Sequence, residues 1–165
     1  MTCWPLGVPA HLLYPVAPVY FIQTAKEVLI TERDYHRTRH IYLNVPHSAN
    51  PKPSWHGESV GHYEGDTLVV DTIAVTTKAP VDNYRTPHTE QLHVIERFRL
   101  IDDGNIIEVN IRVEDPGAFT TPWNAIQRYS KFVGETLIER SCEENNTNHF
   151  NQDLEPMPVA DRPDF

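Results

Sequence analysis

The chain has 165 residues, enough for one domain with a substantial buried core, and its composition excludes several functions. Its net charge is −9 and its Lys and Arg residues are scattered singly, which argues against nucleic acids and anionic membrane surfaces as partners. No apolar run approaches the ~20 residues of a membrane span, and residues 1–10 lack a signal-peptide pattern. We therefore expect a small-molecule partner and a cytoplasmic location for the chain as given, with homodimerisation left open.

The first 44 residues predict an arm followed by two strands. Residues 1–18 contain four prolines, which lack the backbone donor for regular pairing, so we expect an extended arm. Residues 19–33 are rich in β-formers, and residues 37–44 alternate between two faces, one of which carries Arg39 with Ile41 and Leu43. A turn near Asp34-Tyr35 would join these two strands, and the prolines of residues 45–54 indicate a loop.

Residues 57–75 predict a hairpin that turns at Gly65-Asp66 and pairs Tyr63 with Leu68. On the opposite face this register makes His62 and Asp71 diagonal neighbours, roughly 7–8 Å apart along the backbone. An aspartate that accepts a proton from one imidazole nitrogen raises the basicity of the other nitrogen. The two residues are therefore either a surface ion pair or part of an acid–base site.

Residues 92–113 predict the central hairpin, since Asp103-Gly104 is the strongest hairpin turn in the chain. The turn places Ile101 opposite Ile106, and every second pair outward from there shares a face. The alternation predicts which side chains point into the fold and which face solvent: Phe98 and Val109 inward, Arg99 and Glu108 outward.

Glu96 is the only carboxylate on the apolar face of this hairpin. An isolated buried charge is costly, so Glu96 either meets a cation or has its pKa raised by desolvation. Arg39 is the first candidate for the cation, because it shares a strand face with Ile41 and Leu43. The carboxylate is either part of a structural ion pair or a general acid or base in a pocket.

The remaining segments carry weaker signals. Residues 76–91, which include His88, form a lid or mouth loop, and residues 123–133 and 135–142 read as a third hairpin turning near Gly134. Residues 143–165 are rich in Asn, Asp and Pro, typical of an extended tail. Cys3 and Cys142 match no zinc spacing, so they are free thiols or, in an oxidising compartment, one disulfide.

These elements predict an all-β, antiparallel meander closed as a lipocalin-like barrel over residues 19–142, with the arm at 1–18 and the tail at 143–165. Closure removes the exposed sheet edges, and eight strands leave an interior able to hold one small ligand. An open sandwich is the alternative fold.

Several motifs lie along most of the chain: CWPLGVP at residues 3–9, GESVGHYEGDTLVVDT at 57–72, PHTE at 87–90, ERF at 96–98 and CEENN at 142–146. Together they resemble a family of largely uncharacterised bacterial proteins, many of them exported. The chain departs from that family at Tyr63, usually Trp there, at residues 44–46 and in the loop 73–85. The resemblance names no reaction, but these departures imply a specialised substrate.

Several kinds of catalysis lack support in the sequence. Ser59 lies in a G-x-S-x-G pattern, but that motif needs a strand-to-helix elbow, whereas this chain predicts a hairpin. No dinucleotide or phosphate-loop fingerprint is present, so we expect no cofactor. The nine histidines include no H-x-H pair, so we predict no metal, with a His-ligated metal-dependent enzyme as an alternative.

We predict a cofactor-independent lyase or isomerase that performs elimination, C–C cleavage, isomerisation or cyclisation by general acid–base catalysis. Its substrate would be a hydrophobic, oxygenated molecule, aromatic or terpenoid- or polyketide-like, in the barrel cavity. A non-catalytic lipocalin-like binding protein is the alternative. The predicted catalytic residues are Glu96, His62, Asp71 and Arg39, and the predicted substrate-binding residues are Tyr42, Tyr63, His88, Phe98 and Trp123.

Overall fold

The structure is a computed structural model that describes residues 5–14, 17–33 and 37–134. Within these residues, eight strands form one sheet whose spatial order follows the chain. The strands are β1 (Val19–Gln23), β2 (Glu27–Glu32), β3 (Thr38–Leu43), β4 (Glu58–Glu64), β5 (Thr67–Ile73), β6 (His93–Ile101), β7 (Ile106–Glu114) and β8 (Trp123–Ser130).

The sheet is an all-β meander curled into a half-barrel. Neighbouring strands are antiparallel with one exception, the parallel pair β3 and β4. No pairing joins β1 to β8 within the described ranges, so the closed barrel stays a prediction.

The two hairpins with glycine turns have the predicted registers. Ile101 pairs with Ile106 around the 3₁₀ turn Asp102–Gly104, in which Gly104 has a φ of +83°. Phe98 and Val109 are buried, and Arg99 is exposed, as the alternation predicts. The β4–β5 hairpin turns at Gly65, whose φ is +63°. Only glycine adopts this backbone region without a steric cost, which is why these turns were recognisable.

Residues 19–44 form three strands where two were predicted. The break between β1 and β2 is a turn in which Oγ1 of Thr24 accepts hydrogen bonds from the backbone N–H groups of Lys26 (3.2 Å) and Glu27 (3.1 Å). A threonine hydroxyl replaces the usual Gly, Asn or Pro at this turn, so the sequence carries no strong signal for it.

The segment before β1 is partly helical, which corrects the prediction of an extended arm for residues 5–14. The short helix α1 (Ala10–Leu13) follows Pro9, and prolines before a helix lose no intrahelical hydrogen bond. Val8 and Leu12 are fully buried and pack against the concave face of the sheet. The N-terminal segment therefore supplies part of the hydrophobic core.

Residues 44–57 form the crossover segment that joins the parallel strands β3 and β4. Parallel neighbours cannot be joined by a tight hairpin, so the chain must travel back along the sheet between them. The register of this pair holds three residue pairs, Ile41–Ser59, Tyr42–Val60 and Leu43–Gly61, whereas that of β6 and β7 holds nine. We call this short junction the seam.

Some predictions concern residues outside the described ranges. They are the arm at residues 1–4 and 15–16, the turn near Asp34-Tyr35, the second strand of the third hairpin at 135–142, the tail at 143–165, and the state of Cys3 and Cys142. The first strand of that hairpin is present as β8, which begins at Trp123.

Candidate functional site

A buried polar network lies on the concave face of the sheet and crosses the seam. Nη1 of Arg39 donates to Oε1 of Glu96 at 3.0 Å, and Nη2 donates to the other oxygen of the same carboxylate. Arg39 also donates from Nε to the hydroxyl of Ser59 at 3.1 Å and from Nη2 to the hydroxyl of Thr72 at 2.8 Å. Both charged side chains are fully enclosed. Bidentate pairing and the two hydroxyls together compensate the buried charges.

The prediction that Glu96 points inward and meets Arg39 is confirmed. A buried ion pair is tolerated when its hydrogen bonds are complete, and the hydroxyl partners meet that condition. Neither side chain lines the two grooves described below. The geometry is therefore that of a structural pair, and a catalytic role for either residue stays a prediction.

A groove of about 710 Å³ lies between β3, β4 and the crossover segment, and we call it the crossover groove. Its volume falls within the roughly 300–1,000 Å³ of small-molecule sites. Its walls include six side chains able to stack on a ligand or exchange hydrogen bonds with it: His40, Tyr42, Lys52, Trp55, His56 and Glu58.

His40 is the best-oriented imidazole of the crossover groove. Its Nδ1 lies 2.9 Å from Oε2 of Glu27, and its ring stacks on Tyr42 with centroids 6.1 Å apart. In the neutral imidazole, a carboxylate at Nδ1 favours the tautomer that carries the proton there and leaves the Nε2 lone pair available. The pair therefore has the arrangement of a base and its orienting carboxylate.

His56 is a second, more enclosed imidazole at the same groove. Burial, and then the charge of Arg39, lowers its pKa to about 4. Its ring stacks on His11 of α1 with centroids 5.1 Å apart, and burial holds the pKa of His11 well below its usual value. Both rings are consequently uncharged at neutral pH.

Alternating carboxylates and imidazoles cross the convex face of the sheet, and we call them the outer row: Glu58, His47, Asp71, His93 and Glu114. His47 of the crossover segment bridges two carboxylates, with Nδ1 2.9 Å from Glu58 and Nε2 3.0 Å from Asp71. The same Asp71 oxygen lies 3.0 Å from Nε2 of His93. That bond is the main cause that lowers the pKa of Asp71 and raises the pKa of His93.

Asp71 and His62, which were predicted to cooperate, have different partners. Both lie on the convex face as the register requires, but Nε2 of His62 is 3.2 Å from Glu64 and more than half of the His62 side chain is exposed. Asp71 contacts His47 and His93 instead. The pairing of β5 with β6, which brings His93 to Asp71, could not be inferred across the loop that separates these strands.

The His40–Glu27 pair was also missed. The pair can be recognised only once the turn at Thr24 is known. This turn separates β2 from β1 and places Glu27 opposite Tyr42. That register places Glu27 diagonal to His40 on the convex face, within reach of a side-chain hydrogen bond. Without the turn, the strand order could not be assigned.

The predicted substrate-binding tyrosines lie on the surface. Tyr42 lines the crossover groove, as its role would require. Tyr63 is 46% exposed and donates its hydroxyl to the amide oxygen of Gln23 at 2.7 Å, linking β4 to β1.

The other three predicted substrate-binding residues belong to the interior or its rim. Phe98 is buried and meets Phe21 edge to face, with ring centroids 5.9 Å apart. Trp123 is half-buried against the core. His88 is buried, with Nδ1 2.8 Å from the Thr89 carbonyl oxygen and Nε2 without a partner among the described residues. The structure thus does not gather the five residues into one site.

The described residues contain neither a cluster of metal ligands nor a helix that could span a membrane. No group of three or more His, Cys, Asp or Glu residues is arranged to hold a metal ion. The one helix found there is far too short to cross a bilayer.

Comparisons with known proteins add no further assignment: no family model, curated protein or solved structure matches the chain.

Proposed function

We propose that the protein is a cofactor-independent lyase or isomerase whose substrate binds in the crossover groove, with His40 as the general base. The observation that carries this proposal is the 2.9 Å contact between Nδ1 of His40 and the Glu27 carboxylate, at a groove of about 710 Å³. Imidazole is the side chain most often used for proton transfer near neutral pH.

The groove offers groups for both halves of a proton transfer. Nε2 of His40 would remove a proton from a carbon next to a carbonyl group, and the resulting negative charge would develop on the carbonyl oxygen. The ammonium of Lys52 can stabilise this oxyanion. Return of the proton to another carbon completes an isomerisation, and departure of a leaving group completes an elimination.

The aromatic side chains of the crossover groove favour a substrate with an aromatic or otherwise hydrophobic part. Trp55 and Tyr42 present ring surface to the groove, and His56 adds an uncharged imidazole at neutral pH. An uncharged ring can exchange hydrogen bonds with an oxygenated ligand without the desolvation cost of a cation. These side chains support the predicted class of oxygenated, hydrophobic substrate.

This assignment keeps the reaction class predicted from the sequence but moves the base. Glu96 and Arg39 are enclosed and bonded to each other, whereas a general base must reach the proton that it removes. His62 contacts Glu64 outside the groove. His40 satisfies the geometric requirement better than either sequence-predicted candidate.

The elimination of nitrobenzisoxazole tests the proposal without knowledge of the natural substrate. In this reaction a base removes the ring C–H proton, the N–O bond breaks, and a coloured cyanonitrophenolate forms. We expect saturable turnover that falls roughly 10²–10⁴-fold in His40→Gln, the usual contribution of a positioned base. Glu27→Gln should lower the rate as well, because the tautomer of His40 is no longer fixed.

Two further variants separate the competing assignments. His62→Gln removes the other exposed imidazole–carboxylate pair, and Glu96→Gln removes the buried carboxylate. Retained activity in His40→Gln with loss in either of these would overturn the assignment of the base. Saturable binding of the probe with no turnover would instead favour the alternative, a small-molecule binding protein.

A further inference from the structure

The first and last described strands, β1 and β8, border a second groove of about 790 Å³. We call it the edge groove. The groove lies at these two edges of the sheet, and no strand among the described residues pairs with the outer side of either one. It is separate from the crossover groove, with which it shares no lining residue.

The walls of the edge groove are largely apolar and aromatic. Phe21 of β1 and Tyr129 of β8 meet edge to face with ring centroids 6.3 Å apart, and Ile107 lies beside them. Leu100 and Phe132 leave 61% and 60% of their surface exposed on the same groove. Clustered exposed apolar side chains of this kind mark binding surfaces more often than isolated ones do.

The charge of the edge groove is opposite to that of the whole chain. Within the described part of the protein no aspartate or glutamate lines it, although the chain has a net charge of −9. Two cations do line it, Arg128 and Lys131. Arg128 is paired with Glu108 at 2.7 Å, whereas Lys131 has no ion pair in the described structure. The ammonium of Lys131 is therefore available to an anionic ligand.

We propose that the edge groove binds an amphipathic carboxylate, with its hydrocarbon chain against Phe21, Ile107 and Leu100 and its carboxylate on Lys131. The apolar walls supply the hydrophobic contribution to affinity, and the ammonium supplies orientation and preference for an anion. A cationic amphiphile of the same length would place its charge beside Lys131 and lose affinity. Binding at the edge groove is independent of the reaction proposed for the crossover groove, because the two grooves share no lining residue.

Isothermal titration with decanoate and with decyltrimethylammonium, both below their micellar concentrations, tests the proposal. We expect decanoate to bind with one-to-one stoichiometry and the cation at least about fivefold more weakly. Lys131→Glu should weaken decanoate binding about tenfold, which corresponds to roughly 1.4 kcal/mol. Lys78→Glu makes the same charge change on an exposed turn that does not line the groove, and it should leave the affinity unchanged.

A second pair of variants tests the apolar contact. Leu100→Ser removes a groove side chain that is 61% exposed, and Ile126→Ser removes one of 62% exposure outside the groove. Only the first should weaken decanoate binding. The proposal is overturned if decanoate does not bind, if the cation binds equally well, or if the control variants weaken binding as much. A concentration-dependent dimer that Leu100→Ser disperses, without decanoate binding, would show that a second copy covers the groove.

Discussion

Arg39 links the two sides of the seam through a single side chain. It belongs to β3, whereas its partners Ser59, Thr72 and Glu96 belong to β4, β5 and β6. The backbone register of the seam is short, so the buried network adds side-chain bonds where the ladder has few. The same burial that makes the network stabilising also makes each member costly to remove alone.

Removal of either charge should destabilise the fold more than removal of both. Arg39→Met and Glu96→Leu should each lower the free energy of unfolding by about 3–5 kcal/mol, because each leaves an unpaired buried charge. The double variant should be more stable than the sum of the two losses predicts. Urea unfolding of the four proteins measures this, and additive losses would contradict a direct coupling. Normal turnover of folded Glu96→Gln in the nitrobenzisoxazole assay would assign Glu96 a structural role alone.

The two stacked imidazoles, His11 and His56, should make the stability of the fold decrease as the pH falls below 6.5, before most carboxylates titrate. The pKa of His56 falls from 6.5 to about 4 on folding, so the unfolded chain binds this proton more tightly. The contribution of the uncharged His56 to the free energy of unfolding is complete above pH 6.5. It is lost as the pH falls towards 4, a change of about 3 kcal/mol. His11, whose pKa is also lowered, acts in the same direction.

Urea midpoints at pH 7 and pH 4.5 check this expectation. His56→Gln has no titrating group at this position, so its midpoint should change less between the two pH values than that of the wild type. His93 has a raised pKa, so its contribution is complete below pH 6.5 and is lost as the pH rises through its folded-state pKa. This contribution is present in both proteins, so it does not affect the difference between them. Equal shifts in the two proteins would show that the buried imidazole of His56 does not cause the acid sensitivity.

At the scale of the elements, turns with glycine were predictable and the turn with threonine was not. Gly65 and Gly104 need a positive φ, and two-residue periodicity then fixes every pair of the β4–β5 and β6–β7 hairpins. Alternation along β6 and β3 places Glu96 and Arg39 on the apolar faces of their strands, and this was sufficient to predict their contact. The contacts of His47 depend instead on how the crossover segment folds, and no periodicity describes such a segment.

The outer row should hold the crossover segment against the sheet. Asp71→Asn removes the carboxylate that His47 and His93 share, so amides of residues 45–53 should exchange hydrogen faster. The pKa of His93 should also fall towards 6.5, because the hydrogen bond that His93 donates to Asp71 is the main cause that raises it. NMR titration and hydrogen exchange measure both effects.

The matched control for this prediction is Glu64→Gln. It removes a carboxylate that contacts His62 and Arg97 on the same convex face but touches no residue of the crossover segment. Exchange in residues 45–53 should remain at the wild-type rate in this variant. Similar exchange in Asp71→Asn would show that the outer row does not hold the segment.

At the scale of the whole molecule, the all-β meander and its curvature followed from strand count and alternation. The parallel pair did not, because sequential hairpins favour antiparallel neighbours throughout and no local pattern distinguishes a crossover from a long loop. The candidate site was misplaced for the same reason. The crossover groove exists only because the chain returns along the sheet between β3 and β4.

The crossover segment lies outside the hairpins, but it is held to the sheet by the contacts of His47 and by the bridge between Ser54 and Val75. It carries no strand, and neither the β1–β3 hairpins nor the β4–β8 meander runs through it, so none of the strand registers includes its residues. Lys52 and Trp55 of the groove both belong to it. Substitution of Lys52 or Trp55 would therefore change the lining of the groove without altering any strand pairing of the sheet.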